Sequence, residues 1–269
     1  MATTQYPKDS AEPLLTLTRP KDGLWQIELH NGKDNRLTHD LVNGAFKPAL
    51  GQVEREWRAA KKDGSGAGAL VITGRLDQDK FFSNGFNLES VVADPTWFLT
   101  TFDPLLLHLL TFPIPTVAAI NGHCFAAGAM IALACDYRVM TDGAKRNAWV
   151  CMNEIDFGAP WPISFGQLVL AKLTRSSVLR KLALEGHRFT PKEALDAEIV
   201  DEIVPGGTAG VVARAHELAE SKAEKAQAGV WGAIKSELYR PLTAMLARGL
   251  PGINTAVDEG IALARLAKL

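Results

Sequence analysis

The apolar and polar positions along the chain predict strands first and helices afterwards. Residues 14–17 and 24–29 favour two β-strands on either side of a turn at residues 21–23. Residues 69–73 and 116–120 are continuous apolar runs, which are typical of strands buried on both faces of a sheet. The first half of the chain is therefore expected to contain a sheet with a covered centre.

Helical patterns separate these strands and dominate the second half of the chain. Thr38 is a suitable N-cap for a helix over residues 39–62, and a second helix is predicted over 94–111. Further predicted elements are strands over 137–141 and 148–152, helices over 163–173, 176–185 and 191–195, an extended piece over 201–204 and a helical remainder from residue 208. Strands alternating with helices, followed by helices alone, predict an α/β fold.

The same pattern predicts the domain organisation. We expect an N-terminal core over residues 1–205 and a helical C-terminal region over residues 206–269. A region of that size has too little core of its own. It is therefore expected to pack on the N-terminal core or on a neighbouring subunit.

One stretch, residues 115–136, contains no charged residue before Asp136. It joins the predicted strand over 116–120 to an apolar helix that opens with the small residues Ala126, Ala127 and Gly128. The first turn of a helix has unpaired N–H groups and the positive end of the helix dipole. The stretch is therefore either a cradle for a developing negative charge or a tightly packed core helix, and the pattern fits both.

Composition narrows the class of protein. The 269 residues are 47% hydrophobic and 22% charged, as in soluble globular proteins, and no stretch predicts a membrane span. The formal net charge of −1 argues against nucleic acid as a partner. Cys124, Cys135 and Cys151 lack the spacing of a metal site, so no metal is predicted, and we expect reduced, buried cysteines in an intracellular protein.

Two further segments carry candidate chemistry. Gly85, after a buried strand, permits an unusual backbone angle that lets the Phe86 N–H point out of its loop. Glu154 and Asp156 interrupt an otherwise apolar passage, where poor solvation raises the pKa of a carboxyl group and makes it a better general base. Two backbone N–H donors and one carboxylate are what proton transfer beside a thioester carbonyl requires.

Three motifs together point to a known family. The segments FFSNGFNL, PTVAAINGHCFAAGAMIALACDYRVM and NEIDFGAPWP resemble, in order and spacing, the crotonase superfamily of enoyl-CoA hydratases and isomerases. The resemblance covers roughly residues 14–205, and the helical tail is compatible with it. It implies a crotonase-like spiral of ββα repeats with a helical C-terminal trimerisation region, an acyl-CoA substrate, and trimers that are sometimes paired into hexamers. It implies no cofactor, because CoA is part of the substrate.

The resemblance also assigns roles to individual residues. It places the oxyanion-hole donors on the backbone N–H groups of Phe86 and Ala127. The family often has glycine at the second position, and alanine keeps the donor. The segment Ser83, Asn84 and Gly85 matches the one whose backbone meets the adenine end of CoA.

Two acidic positions decide which reaction the resemblance implies. Hydratases of the family use two glutamates, and this chain has Met130 at the first position and Glu154 at the second. A single carboxylate suits a 1,3-proton shift from C2 to C4 of a 3-enoyl-CoA, the Δ3,Δ2-enoyl-CoA isomerase reaction of β-oxidation. Dienoyl-CoA isomerases need acids at the positions of Met130 and Pro162, so they are disfavoured.

Alternatives remain open at this stage. The chain could be a hydratase, another crotonase-fold acyl-CoA enzyme or a non-catalytic acyl-CoA-binding protein. Glu154 could be a structural carboxylate, whereas Asp156 is favoured as a turn residue but could act as a second acid. His123 is favoured as a packing residue. Three basic residues could meet CoA phosphates but are each favoured as solvated surface charges; they are Arg36, Lys80 and Lys235.

An aromatic and leucine-rich set is favoured as core but could line an acyl tunnel. Its members are Trp97, Phe98, Phe102, Leu105, Leu106, Leu107, Leu109, Leu110 and Trp161. The last three residues, Ala267-Lys268-Leu269, belong to the class of tripeptide that addresses proteins to peroxisomes. With an enzyme of unsaturated fatty-acid oxidation, this motif predicts a peroxisomal location.

Overall fold

The computed structural model describes residues 2–249 and 252–268. Its strands, in chain order, are β1 (Ala2–Tyr6), β2 (Leu15–Lys21), β3 (Leu24–Leu29), β4 (Ala69–Thr73), β5 (Phe81–Ser83), β6 (Thr116–Ile120), β7 (His123–Phe125), β8 (Tyr137–Thr141), β9 (Val150–Cys151) and β10 (Glu202–Val204). Seven form one sheet in the order β1-β2-β3-β4-β6-β8-β10, and three form a second sheet in the order β5-β7-β9.

The large sheet has an antiparallel part and a parallel part. Strands β1, β2 and β3 pair antiparallel, and every pairing from β3 to β10 is parallel. Parallel strands need crossover connections, and helices supply them here. All residues of β4 and β6 are buried, which confirms the prediction from their continuous apolar runs.

Helices connect and follow the strands. Two π-helical segments, Asp40–Phe46 and Trp97–Phe102, lead directly into α-helices. The α-helices are α1 (Lys47–Lys62), α2 (Leu88–Ala93), α3 (Asp103–Leu110), α4 (Ala127–Ala134), α5 (Ile163–Lys172), α6 (Ser176–Leu184), α7 (Pro191–Asp196), α8 (Gly207–Ala223), α9 (Trp231–Leu238), α10 (Arg240–Ala247) and α11 (Thr255–Leu266). Across residues 2–249 and 252–268, no helix combines the length and apolar composition that crossing a membrane requires.

Two apolar clusters form the core. The larger one joins the first strands, α1, α3 and α4, and it includes every residue of α4 except Gly128. The smaller one lies where Val211, Ala215 and Ala219 of α8 pack on β4, β6 and β8. Helix α8, the first of the predicted C-terminal region, thus covers one face of the sheet, while the boundary at residue 205 stays a prediction.

The structure corrects the predicted elements in several places. Strands β1, β5 and β7 were not predicted, and β9 has two residues where five were expected. The helix expected from residue 94 begins at Trp97, because Asp94 accepts a hydrogen bond from the Thr96 N–H and holds a turn there. The α/β fold with a helical C-terminal region is as predicted.

Candidate active site

The structure contains a cavity of about 450 Å³, which is bounded by segments that connect the strands of the two sheets. It lies among the loop after β5, helix α2, the start of α4, the turn after β9 and the start of α5. Its lining residues are Arg36, Asn84, Phe86, Leu88, Val91, Val92, Phe98, Ala126, Asn153, Glu154, Phe157, Ala159, Pro160, Pro162 and Phe165. The lining is mostly apolar, with a small number of polar groups, as in small-molecule sites.

The first predicted oxyanion donor, the Phe86 N–H, takes no part in the backbone hydrogen bonds between its loop and Leu37. The Leu37 N–H donates to the Gly85 oxygen at 2.8 Å, and the Asn87 N–H donates to the Leu37 oxygen at 3.1 Å. These two bonds use the peptide groups on either side of Phe86. Gly85 adopts φ +79°, and the Phe86 N–H has no hydrogen-bond partner among residues 2–249 and 252–268.

The second predicted donor, the Ala127 N–H, is at the first residue of α4. The preceding Ala126 donates its N–H to the Cys151 oxygen at 2.8 Å and accepts from Ala129 and Met130 through its carbonyl. The Ala127 N–H is one of the first-turn donors that a helix leaves unpaired, and the described part of the chain offers it no acceptor.

The structure brings these two donors to one place. A Cβ on Gly85 would lie 2.7 Å from the Ala126 Cβ and 3.3 Å from the Ala127 nitrogen. The loop that carries Phe86 therefore contacts the start of α4 directly. Phe86 and Ala126 both line the cavity. This arrangement can hold a negatively charged oxygen by two hydrogen bonds.

Among residues 2–249 and 252–268, Glu154 is the one carboxylate that lines the cavity. It begins a 3₁₀ turn, Glu154–Phe157, which ends at Gly158 with φ +72°. The side chain is 7% exposed. Burial raises its pKa above the ordinary value, and a hydrogen bond from the Trp161 Nε1–H to Oε2, at 3.3 Å, opposes that shift. A desolvated carboxylate of this kind can act as a general base.

The structure does not bring a second acid into the cavity. Asp156 is exposed, and its carboxylate lies beside Gly186, where a Cβ would stand 3.1 Å from Oδ2. Met130, at the position of the first hydratase glutamate, is fully buried within α4. Pro162, where a dienoyl-CoA isomerase needs an acid, lines the cavity without an ionisable group.

The residues predicted to meet CoA have different surroundings. Ser83 is fully buried, and its hydroxyl donates to the Asn35 oxygen at 2.7 Å. Asn84 lines the cavity, and its side-chain amide donates to Asp34 at 2.9 Å. Their assignment to CoA, like that of Gly85, stays a prediction.

The three basic residues that could meet CoA phosphates have different surroundings in the structure. Arg36 lies at the cavity, pairs with Asp34 at 2.9 Å and donates to the Phe86 oxygen at 2.9 Å. Lys80 lies over the Phe81 ring, outside the cavity. Lys235 is buried and pairs with Asp136 at 2.9 Å, so the interpretations as a surface charge and as a phosphate ligand are both wrong.

His123 and most of the aromatic and leucine-rich set are packing residues, which is the role that the sequence favoured. The His123 ring stacks on Trp149, with centroids 4.8 Å apart. Trp97, Phe102 and the buried leucines of α3 belong to the core. Within the predicted aromatic set only Phe98 lines the cavity, where Phe86 and Phe165 accompany it.

Two features of the cavity were not predicted from the sequence. The hydrogen bond from Trp161 to Glu154 is one, and the apolar wall formed by Val91 and Phe165 is the other. The sequence signal for the first is the position of Trp161, seven residues after Glu154 and between two prolines.

Comparisons with known proteins identify relatives of this chain. A family model described as enoyl-CoA hydratase/isomerase matches residues 20–256. The chain is 36% identical to enoyl-CoA delta isomerase 3 of Arabidopsis thaliana over 195 residues, which are 70% of this chain and 79% of that protein. It is 35% identical to the peroxisomal enoyl-CoA delta isomerase 2 of the same plant over 206 residues, 73% of this chain and 82% of that protein.

A solved structure has the same fold. It is a probable enoyl-CoA hydratase of Mycobacterium tuberculosis, with a TM-score of 0.68 and 27% identity, and the alignment covers 95% of this chain and 98% of that one. The crotonase resemblance and the crotonase-like fold class predicted from the sequence are thereby confirmed.

Proposed function

The chain belongs to the enoyl-CoA hydratase/isomerase family, and we propose that it is a Δ3,Δ2-enoyl-CoA isomerase. The reaction moves the double bond of a 3-enoyl-CoA to give 2-trans-enoyl-CoA, a step in the β-oxidation of unsaturated fatty acids. The relatives from Arabidopsis thaliana are named as isomerases of this kind. We propose that the enzyme needs no cofactor, since CoA enters as part of the substrate.

One observation carries the proposal: within the described part of the chain, Glu154 is the single carboxylate that lines the cavity. A hydratase must hold and deprotonate a water molecule, and Met130 supplies no group for that task. A double-bond shift transfers one proton between two carbons of the substrate and consumes no water. One base facing two N–H donors is sufficient for it.

The proposed mechanism has two proton transfers. The carboxylate of Glu154 removes a proton from C2, and the electron pair of that C–H bond delocalises onto the thioester oxygen. The N–H groups of Phe86 and Ala127 donate hydrogen bonds to this oxygen while it is negatively charged. Glu154 then delivers the proton to C4, the double bond settles between C2 and C3, and the carboxylate is regenerated.

The cavity also suggests how the substrate lies. Its lining includes the polar residues Arg36, Asn84 and Asn153 and the apolar residues Val91, Phe98 and Phe165. We propose that the CoA end contacts the segment Ser83, Asn84 and Gly85, and that the acyl chain contacts the apolar wall.

The assembly state is part of the proposal. In the single chain, helix α11 has no buried residue and exposes Val257, Ile261 and Leu263. Helix α9 exposes Ile234 and Leu238. Apolar area of this extent needs cover. We propose that these helices contact other copies of the chain in a homotrimer or hexamer, which sedimentation would test.

We also propose a peroxisomal location. Two relatives from Arabidopsis thaliana are named as peroxisomal. The tripeptide Ala267-Lys268-Leu269 supports the same address, although Leu269 lies outside the described residues. Deleting Leu269 from a protein tagged at its N-terminus should release it into the cytosol, whereas a full-length protein that never enters peroxisomes contradicts the proposal.

The central experiment measures two reactions side by side. Isomerisation of 3-hexenoyl-CoA and hydration of 2-hexenoyl-CoA are assayed for the wild type, Glu154→Gln and Asp156→Asn. We expect isomerisation to exceed hydration in the wild type and to fall ~10²–10⁴-fold in Glu154→Gln, the usual contribution of a general base. Asp156→Asn is the matched control, because its carboxylate lies outside the cavity.

Other outcomes would identify other functions. Hydration as the main activity would make the protein a hydratase. Loss of activity in Asp156→Asn would assign a catalytic role to that residue. Acyl-CoA binding without either reaction, unchanged in Glu154→Gln, would leave a binding protein or an enzyme of another acyl-CoA reaction.

A further inference from the structure

The Glu154 carboxylate interacts with its own backbone N–H and with one side-chain donor. The indole Nε1–H of Trp161 donates a hydrogen bond to Oε2 at 3.3 Å. Within residues 2–249 and 252–268, no other side chain hydrogen-bonds this carboxylate. Oε1 therefore has no side chain that fixes it.

Trp161 itself is firmly placed. It lies between Pro160 and Pro162, and proline restricts both its own backbone and that of the residue before it. Pro162 caps the start of α5. The indole packs edge-on against Phe165, with ring centroids 6.2 Å apart and an interplanar angle of 70°. These contacts limit the rotation of the indole.

The same aromatic group reaches the first oxyanion donor. The Phe165 ring stacks with that of Phe86 at 6.0 Å, and both residues line the cavity. A continuous set of rings thus connects the side chain that bonds Glu154 to the residue whose N–H faces the substrate oxygen. The base and the donor are positioned by one packed unit.

Few charges act on Glu154 from the surrounding elements. Arg36 is the other charged side chain lining the cavity. Asp156 follows in the same turn, and the Cys151 thiol, at the end of β9, is a further ionisable group nearby. The indole N–H is therefore a neutral side-chain donor that, beside the Glu154 backbone N–H, can orient this carboxylate without adding a charge.

We propose that Trp161 is a positioning residue that holds Oε2 of Glu154 and directs Oε1 toward C2 and C4 of the substrate. This inference rests on the proposed isomerase function. Oε1 accepts the proton as the C2–H bond breaks and donates it as the C4–H bond forms. The carboxyl group does not rotate between the two transfers, because its other oxygen remains bonded to Trp161.

The proposal predicts a specific effect of Trp161→Phe, which keeps an aromatic ring and removes the N–H. Loss of this donor destabilises the charged carboxylate, so the pKa of Glu154 rises. The acid limb of the pH profile of kcat/KM moves to higher pH by ~1–2 pH units, as expected for one hydrogen bond to a charged group. A less well-oriented base lowers kcat ~10-fold, whereas KM changes much less.

Trp97→Phe is the matched control. The Trp97 indole is fully buried and packs against Phe86, with centroids 5.4 Å apart. Its Nε1–H has no acceptor within the described ranges. The same change of side chain therefore removes packing near the cavity but no bond to Glu154. Trp97→Phe should therefore leave the acid limb of the pH profile of kcat/KM unchanged. Trp161→Leu serves as a second variant without the N–H donor.

A direct titration keeps this test separate from the proposed function. The ¹³C resonance of the Glu154 carboxyl, identified by its absence in Glu154→Gln, reports the pKa in both tryptophan variants without any substrate. A raised pKa and a lowered kcat in Trp161→Phe alone support the proposal. An unchanged pKa overturns it, as does an equal loss of kcat in Trp97→Phe. Activity that survives in Glu154→Gln contradicts the proposed function instead.

Discussion

Gly128 in α4 lies directly against Ser83 in β5: a Cβ on Gly128 would stand 2.7 Å from the Ser83 carbonyl oxygen and 2.8 Å from its Cβ. Gly128 presents only backbone atoms there, and the carbonyl and the side chain of Ser83 fill the space. The strand that leads to Phe86 is thereby pressed onto the helix that begins with Ala127. The spacing of the two proposed oxyanion donors depends on this contact.

The first prediction concerns Gly128→Ala. The new methyl group must push β5 and α4 apart, and overpacking of this kind costs ~1–3 kcal/mol of unfolding free energy. We also expect the isomerisation rate to fall more than the stability loss explains, because the donors separate. Urea denaturation and the 3-hexenoyl-CoA assay measure the two effects.

Gly166→Ala is the matched control for that prediction. Gly166 lies in α5, and nothing comes within 4 Å of the position of its Cβ. Alanine is a better helix former, so this variant should be unchanged or more stable by ~0.5–1 kcal/mol. Equal effects of the two substitutions would show that the Gly128–Ser83 contact does not constrain the site.

The second prediction concerns Ala126→Gly. Ala126 adopts φ +51° and ψ −126°, a region that a residue with a Cβ occupies at a cost of ~1–3 kcal/mol. Glycine removes that strain but adds freedom to the unfolded chain, which offsets ~0.4–1 kcal/mol. We expect a net gain of about 1 kcal/mol in unfolding free energy from these two terms.

The exposed Ala213 in α8 provides the comparison for Ala126. Ala213→Gly, in a regular helix, should lose ~1 kcal/mol, the ordinary helix penalty for glycine. Opposite signs for the two substitutions would support strain at Ala126. Destabilisation by both would mean that the Ala126 methyl group, which lies against Gly85, contributes more than the strain costs.

The third prediction follows from the raised pKa of Glu154. The folded protein binds this proton more tightly than the unfolded chain, whose carboxyl has its ordinary pKa of 4.5. The stability contribution of the proton is therefore fully present below pH 4.5 and is lost as the pH rises through the folded pKa. Glu154→Gln should become progressively more stable than the wild type between pH 4.5 and 8.

Thermal unfolding of both proteins across that pH range measures the difference. Glutamine has the same shape and carries no charge, so a difference in Tm that is constant with pH would contradict a desolvated carboxylate at Glu154. Gain in stability with loss of isomerase activity would be the expected combination for a catalytic base held in an apolar cavity.

Much of the fold could be predicted because its central strands have long apolar runs. Strands β4 and β6 are buried along their whole length, and each is bounded by glycine or proline. Strands β5, β7 and β9 have only two or three residues, too few for any periodicity. They exist because distant segments pair, as Phe81 does with His123.

The candidate site could be predicted in part because several of its residues give local signals in the sequence. The glycine at 85, the small residues before α4 and the acid at 154 are local signals, and the fold brings them together. The bond from Trp161 to Glu154 also depends on the direction of a side chain, which the position of Trp161 between two prolines does not give by itself. Lys235 was wrongly interpreted because its partner, Asp136, is 99 residues away.

The fourth prediction concerns that buried ion pair, which attaches α9 to Asp136, the second residue after α4. The Asp136 carboxylate accepts hydrogen bonds from Lys235 Nζ, Trp231 Nε1 and the Thr116 backbone N–H, at 3.1, 3.2 and 2.9 Å. Burial lowers the pKa of Lys235, and Asp136 opposes that shift. Lys235→Met leaves a buried carboxylate without its cation, which costs ~3–5 kcal/mol in comparable pairs.

Lys21→Met tests whether this cost comes from burial. Lys21 pairs with Glu220 at 2.6 Å, but both side chains are largely solvated, and exposed pairs contribute ~0–1 kcal/mol. The double variant Asp136→Asn with Lys235→Met should be more stable than Lys235→Met alone, because no uncompensated charge remains. Urea denaturation of the wild type and the three variants measures these differences. A Lys235→Met loss no larger than that of Lys21→Met would mean that neighbouring groups, chiefly the half-buried Lys172, already neutralise Asp136.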